Sequence, residues 1–128
     1  MTKYKDFAEL VIKQSDYQRL LSLISANARK DINLLEEELS RAEIVEDSIY
    51  PQDAVCLGAE VKFLDCITKA IRCVTLVLPE ESNVNEMKIS ILTPVGSALI
   101  GMRTGRVIDW LLPNDRATKI QILSVKQH

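Results

Sequence analysis

Ile89-Ser90-Ile91-Leu92-Thr93-Pro94-Val95-Gly96-Ser97-Ala98-Leu99-Ile100-Gly101-Met102-Arg103-Thr104-Gly105 is the stretch on which the reading of this 128-residue chain turns. The alternation up to Ile91 is that of a strand, and Thr93-Pro94-Val95-Gly96 is a sharp turn. Pro94 suits a first helical position, because its missing N–H is one that a helix start leaves unpaired anyway. The apolar run after it reads as one short helix, closed by glycine.

Period-two text surrounds this segment. Val55, Leu57, Ala59, Val61 and Phe63 alternate with Cys56, Gly58, Glu60 and Lys62, which predicts a strand, and the β-branched run Ile71–Leu78 predicts its neighbour. Met87, Ile89 and Ile91 alternate with Lys88 and Ser90, and Val107–Leu111 and Lys119–Leu123 add two more runs. The turn clusters at Pro79-Glu80-Glu81-Ser82-Asn83 and Pro113-Asn114-Asp115 imply short connections. Five strands, mostly antiparallel, and one short helix are therefore expected over residues 51–128.

Residues 1–50 have a different period. Tyr17, Leu20, Leu21 and Ile24 form one helical stripe and Ile32, Leu35, Leu39 and Ala42 another, which predicts a short antiparallel helical hairpin. Its first helix runs Asp16–Ser25 and its second Ile32–Asp47, about 15 and 24 Å at 1.5 Å per residue. Ser15 or Asp16 is placed to cap the first and Asp31 the second. The tip is Ser25–Lys30, and Ala8–Ile12 is a short strand or a lead-in to the hairpin base. The fold class is thus α+β, with a hairpin domain at 1–50 and a sheet domain at 51–128.

Composition narrows function. The formal charge is only −2, yet Glu36, Glu37, Glu38, Glu43, Glu46, Asp47 and Asp53 oppose Arg41 alone, a local net of −6. Residues on either side are each net positive by two, so no strongly basic face is expected and direct nucleic-acid binding is disfavoured. The acidic block reads as a solvated helix face, or as a surface steered toward a basic partner. Cys56, Cys66 and Cys73 lack CxxC spacing and lie in apolar text, which favours small buried hydrophobes over disulfides or metal ligands. No stretch is long and apolar enough to span a membrane, and the start of the chain leads into no secretory h-region, so a cytoplasmic location is expected.

Catalytic chemistry is hard to assemble. The single histidine is His128, no nucleophile has a base within a recognisable motif, and Gly96, Gly101 and Gly105 are not spaced to cradle phosphate. No enzyme activity, metal or cofactor is expected. Trp110, in a strand-like run, reads as core or core edge.

From Ala54-Val55 through Val61-Lys62-Phe63, Thr75-Leu76-Val77-Leu78-Pro79, the opening segment and Trp110-Leu111-Leu112-Pro113, the sequence resembles the C-terminal domain of bacterial Gre transcription elongation factors. Within them it is most similar to the subgroup called regulator of nucleoside diphosphate kinase. The resemblance implies an FKBP-like sheet domain behind a coiled-coil hairpin, and RNA polymerase as partner. It also implies that Thr93, Pro94, Val95 and Gly96 dock on the rim of the polymerase secondary channel. In Gre factors two carboxylates at the hairpin tip hold the magnesium ion that promotes transcript cleavage. The matching tip here carries Asn27, Arg29, Lys30 and Asp31, a single carboxylate beside two cations, and Mg²⁺ requires oxygen ligands without competing positive charge. The chain departs from the Gre pattern at Gly105-Arg106, where Gly-Asp is usual, and at Pro113-Asn114-Asp115, where Pro-Gly-Gly is usual. The expected function is a polymerase ligand that does not cleave and competes with Gre factors. Two rivals are an adaptor acting on nucleoside diphosphate kinase or another protein through the acidic helix, and a prolyl isomerase. An isomerase would need aromatic pocket walls, and this domain offers Phe63 and Trp110, with Tyr50 at its margin.

Overall fold

A computed structural model describes residues 10–26, 36, 39–111 and 117–127. Strand β1 (Val11–Lys13) passes without a linker into helix α1 (Gln14–Ala26), and residues 36 and 39–41 are helical. Strand β2 (Glu43–Val45) then pairs in parallel with β1, Ile12 facing Ile44. The rest of the described chain contains β3 (Glu60–Asp65), β4 (Ile71–Val77), β5 (Lys88–Ser90), helix α2 (Pro94–Leu99), β6 (Val107–Leu111) and β7 (Ala117–Lys126), and these strands form the larger sheet. Its order is β5-β4-β3-β7-β6, antiparallel except for the parallel pair β4–β5.

Alternation on β3 decides which sheet face is covered. Val61 and Phe63 are buried while Lys62 is exposed. Leu76, Ile91, Leu99, Ile100, Ile120 and Ile122 complete the core beneath α2, each at most 1 % exposed. Ile12, Leu20 and Leu39 belong to the same apolar cluster, so the N-terminal elements pack on the core that the sheet and α2 share. A second, smaller cluster joins Val11, Val45, Tyr50, Ala54, Cys56 and Ala59.

Several sequence expectations need correction. The second helix does not reach Asp47: Arg41 is the last helical residue, and the β-branched Ile44 and Val45 pair with β1. Helix α1 is longer than expected, 13 residues or about 20 Å, and Leu21, on its presumed apolar stripe, is exposed. The strand expected from Val55 begins only at Glu60, because the chain turns at Gly58 with φ +86°. Alternation there reflects a buried turn, with the Gly58 N–H donating to the Leu76 carbonyl at 2.6 Å. Strand β7 extends to both sides of the expected run.

The cysteines divide as well. Cys56 is buried, Cys66 half-buried and Cys73 exposed, since Cys73 lies opposite Lys62 on the solvent face of the sheet. Only the first behaves as a core hydrophobe.

Leu76, fully buried at the centre of the core, provides a direct check on this packing. Leu76→Ala is expected to cost about 2–5 kcal/mol in urea unfolding, through lost transfer energy and the cavity left behind. Val84→Ala, at an 84 % exposed position, is expected to leave stability within about 0.5 kcal/mol.

Candidate functional site

The turn that opens α2 is built from its own hydroxyls. Thr93 is the N-cap residue, with φ −73° and ψ 157°, and its Oγ1 accepts from the Gly96 N–H at 3.0 Å. The same hydroxyl donates to the Ser90 carbonyl at 2.8 Å, so both its capacities are used inside the turn. Ser90 Oγ accepts from the Leu92 N–H at 3.0 Å, and the buried Ser97 hydroxyl donates to the Ile91 carbonyl at 2.9 Å. Pro94 occupies the first helical position, where its fixed φ and missing N–H cost nothing.

Gly96 is required by space. A Cβ there would lie 2.3 Å from the Ser90 carbonyl oxygen and 2.9 Å from the Ile91 Cα, both backbone atoms that cannot swing aside. Val95 is half-buried and packs against the core while keeping part of its surface outward, and Leu92 does the same.

Of the four residues expected to dock, Thr93 and Gly96 therefore build the turn, and Val95 presents surface from it. The side chain of Pro94 lies outside the described residues, as does that of Trp110, whose backbone sits in β6 opposite Thr118. The expected tip residues Asn27, Arg29, Lys30 and Asp31, and the cap assigned to Asp31, also lie outside them. Ser90 and Ser97 were missed by sequence reasoning. The signal available was the spacing Ser90-x-x-Thr93-x-x-x-Ser97, hydroxyls at turn intervals around a proline.

A second polar cluster lies where the N-terminal elements meet the sheet domain. Ser15 and Asp16, the two residues expected to cap α1, both lie inside its first turn, and the buried Asp16 Oδ2 accepts from the Leu57 N–H at 2.9 Å. The capping role falls to Asp47, whose Oδ1 accepts from the Ser15 N–H at 3.1 Å. Tyr50 donates its buried hydroxyl to the Val11 carbonyl at 2.8 Å, with the Val55 carbonyl 3.0 Å away, and Lys13 Nζ stands 5.6 Å from its ring centroid. Asp53 pairs with Arg103 at 2.8 Å. Two members of the acidic block, Asp47 and Asp53, thus have structural partners.

Burial pushes the Tyr50 phenol and the Cys56 thiol above their ordinary values, which suits neither to nucleophilic work. Among the described residues no group of three or more His, Cys, Asp or Glu side chains could hold a metal ion, and no helix is long and apolar enough to cross a membrane.

Comparison with known proteins agrees with this architecture. The family described as transcription elongation factor, GreA/GreB, C-term matches residues 50–127, and the one described as Rnk N-terminus matches residues 9–45. The chain belongs to the GreA/GreB family. It is 31% identical over 120 residues to the regulator of nucleoside diphosphate kinase of Escherichia coli K12, covering 91% of this chain and 88% of the relative. The GreA elongation factor of Thermodesulfovibrio yellowstonii is 39% identical over 77 residues, which span 60% of this chain and 49% of that factor. A solved GreA/GreB elongation factor from Nitrosomonas europaea superposes with a TM-score of 0.76 at 34% identity, over 93% of this chain and 98% of that one.

The turn and the junction give separate tests. Thr93→Ala is expected to cost about 0.5–2 kcal/mol through loss of the cap, and Gly96→Ala about 1–3 kcal/mol through the clash with Ser90, both read by urea unfolding.

At the junction the two carboxylates titrate with opposite sign. Burial, the larger influence, holds Asp16 above its ordinary value against the opposing Leu57 N–H. The native state therefore binds that proton more tightly than the unfolded chain, and the contribution is lost as pH rises through the native pKa. Hydrogen bonds from Ser15 hold Asp47 below its ordinary value, so its contribution is present above the unfolded pKa and lost as pH falls through the native one. Unfolding between pH about 3 and 7 should show Asp16→Asn removing a loss of stability on raising pH, and Asp47→Asn removing a gain.

Proposed function

We propose that this protein is an RNA polymerase-binding regulator that docks at the rim of the secondary channel through the first turn of α2. In this reading the sheet domain is FKBP-like, the N-terminal part is a coiled-coil hairpin, and the protein works in the cytoplasm. The observation that supports it most is the turn itself. In a chain of the GreA/GreB family, the hydroxyls of Ser90, Thr93 and Ser97 are each spent on backbone groups of the turn, and the half-buried Val95 keeps part of its surface outward from it. Such a surface recognises a partner by shape and apolar contact, at little ordering cost.

Binding occurs without transcript cleavage. A second magnesium ion needs two carboxylates projecting together, and the tip sequence Asn27-Ala28-Arg29-Lys30-Asp31 supplies one, next to two cations. The protein accordingly competes with Gre factors for the channel.

The relative named regulator of nucleoside diphosphate kinase favours a second reading, an adaptor for that enzyme or another protein. The acidic run Glu36-Glu37-Glu38 would supply the contact.

Co-purification with core RNA polymerase is the deciding experiment. The parent chain should be retained and displaced by a Gre factor, while Val95→Asp, if its melting temperature is unchanged, should weaken retention at least about tenfold, about 1.4 kcal/mol. Unchanged retention of a folded Val95→Asp chain would assign Val95 a purely structural role. Stimulation of transcript cleavage in backtracked complexes would overturn the non-cleaving part.

A further inference from the structure

Helix α1 is fastened at its base from two directions. Along the chain, β1 leads into it with no intervening residue, and β1 is sewn to the end of α2. The Val11 N–H donates to the Gly101 carbonyl at 3.0 Å, the Gly101 N–H to the Val55 carbonyl at 2.8 Å, and the Val55 N–H to the Met102 carbonyl at 2.9 Å. Leu10 and Met102 form an antiparallel bridge beside them.

From the side, Asp16 takes the Leu57 N–H and Asp47 takes the N–H of Ser15 in the first turn of α1. Leu20 already packs this helix on the shared core. Bonds at its end and on its flank add directional contacts, which apolar packing by itself does not supply.

Gly101 is the tightest point of this seam. It has φ +78°, and a Cβ there would lie 2.7 Å from Leu10 Cδ1 and 2.8 Å from the Val11 carbonyl oxygen. The β1 backbone can approach α2 this closely only because residue 101 has no side chain.

We propose that Asp16 and Gly101 are positioning residues that fix the direction of α1 relative to the sheet domain, so that the N-terminal arm and the α2 turn behave as one rigid lever. The use of that lever in polymerase binding rests on the reading above; its geometry does not. A partner gripping the α2 turn would then set where the arm points.

The test measures the free protein. Nitroxide labels go on the native, exposed Cys73 of β4 and on a Ser22→Cys thiol on the exposed side of α1, in a Cys66→Ser chain, with the buried Cys56 left unlabelled. Electron double resonance should give a narrow distance distribution for this parent and for Asp16→Asn, whose amide oxygen still accepts from Leu57. Asp16→Ala should broaden it at least about twofold, and Gly101→Ala should shift its mean.

An unchanged distribution in Asp16→Ala, with only a lower melting temperature, would overturn the proposal, since the carboxylate would then add stability without setting direction. If Asp16→Ala does not fold, Gly101→Ala decides, and an unshifted mean distance in that variant would overturn the proposal. No polymerase enters this measurement, so its failure is distinct from a failure to co-purify.

Discussion

The relay of backbone hydrogen bonds through Gly101 is the constraint on which the remaining structure depends. One residue in the left-handed region receives β1 on its carbonyl and offers its own N–H to Val55, so three distant parts of the chain meet at a single residue. Backbone groups buried at such a meeting must be paired with one another, because water cannot reach them. That requirement orders the neighbourhood. It sets the close approach of β1 to α2 and hence the placement of Ile12 in the shared core. It also brings the Tyr50 hydroxyl within reach of both the Val11 and Val55 carbonyls.

The legible parts of the fold were those whose period is undisturbed by long-range contacts. Strands β4 and β6 and helix α2 follow the sequence pattern closely, as does the mostly antiparallel sheet. The failures share a cause. Val55 to Ala59 alternates like a strand, but its backbone is spent on Leu76, Asp16 and Met102 rather than on a ladder. Glu43 to Val45 continues a helical stripe in the sequence, yet a strand partner 32 residues away along the chain claims it. Propensity is a weak prior where a tertiary partner competes for the same amides.

The α2 turn was visible as a unit but not in its division of labour. A sequence shows that Thr93, Pro94, Val95 and Gly96 belong together, while the geometry shows Thr93 consumed by its cap and Gly96 pressed against the Ser90 carbonyl. Burial makes the same distinction among the carboxylates. In the sequence Asp16 reads as a helix cap and Asp47 as one of an acidic block, and only the structure reveals that the first is buried against Leu57 while the second serves Ser15 from the surface. The cysteines repeat the lesson, since Cys73 faces solvent from a strand whose other face is core.

The order of strands in the larger sheet carries a kinetic consequence. Strands β3 and β4 are separated only by the turn at 66–70, and loop closure over so few residues is fast. The other partner of β3 is β7, with Glu60 opposite Lys126, and the whole of β4, β5, α2 and β6 lies between them. Closing that interval costs chain entropy before any core contact repays it. The β3–β4 hairpin thus carries the small closure cost, and the docking of β7, which brings Ile120 and Ile122 into one core with Val61 and Phe63, carries a larger one.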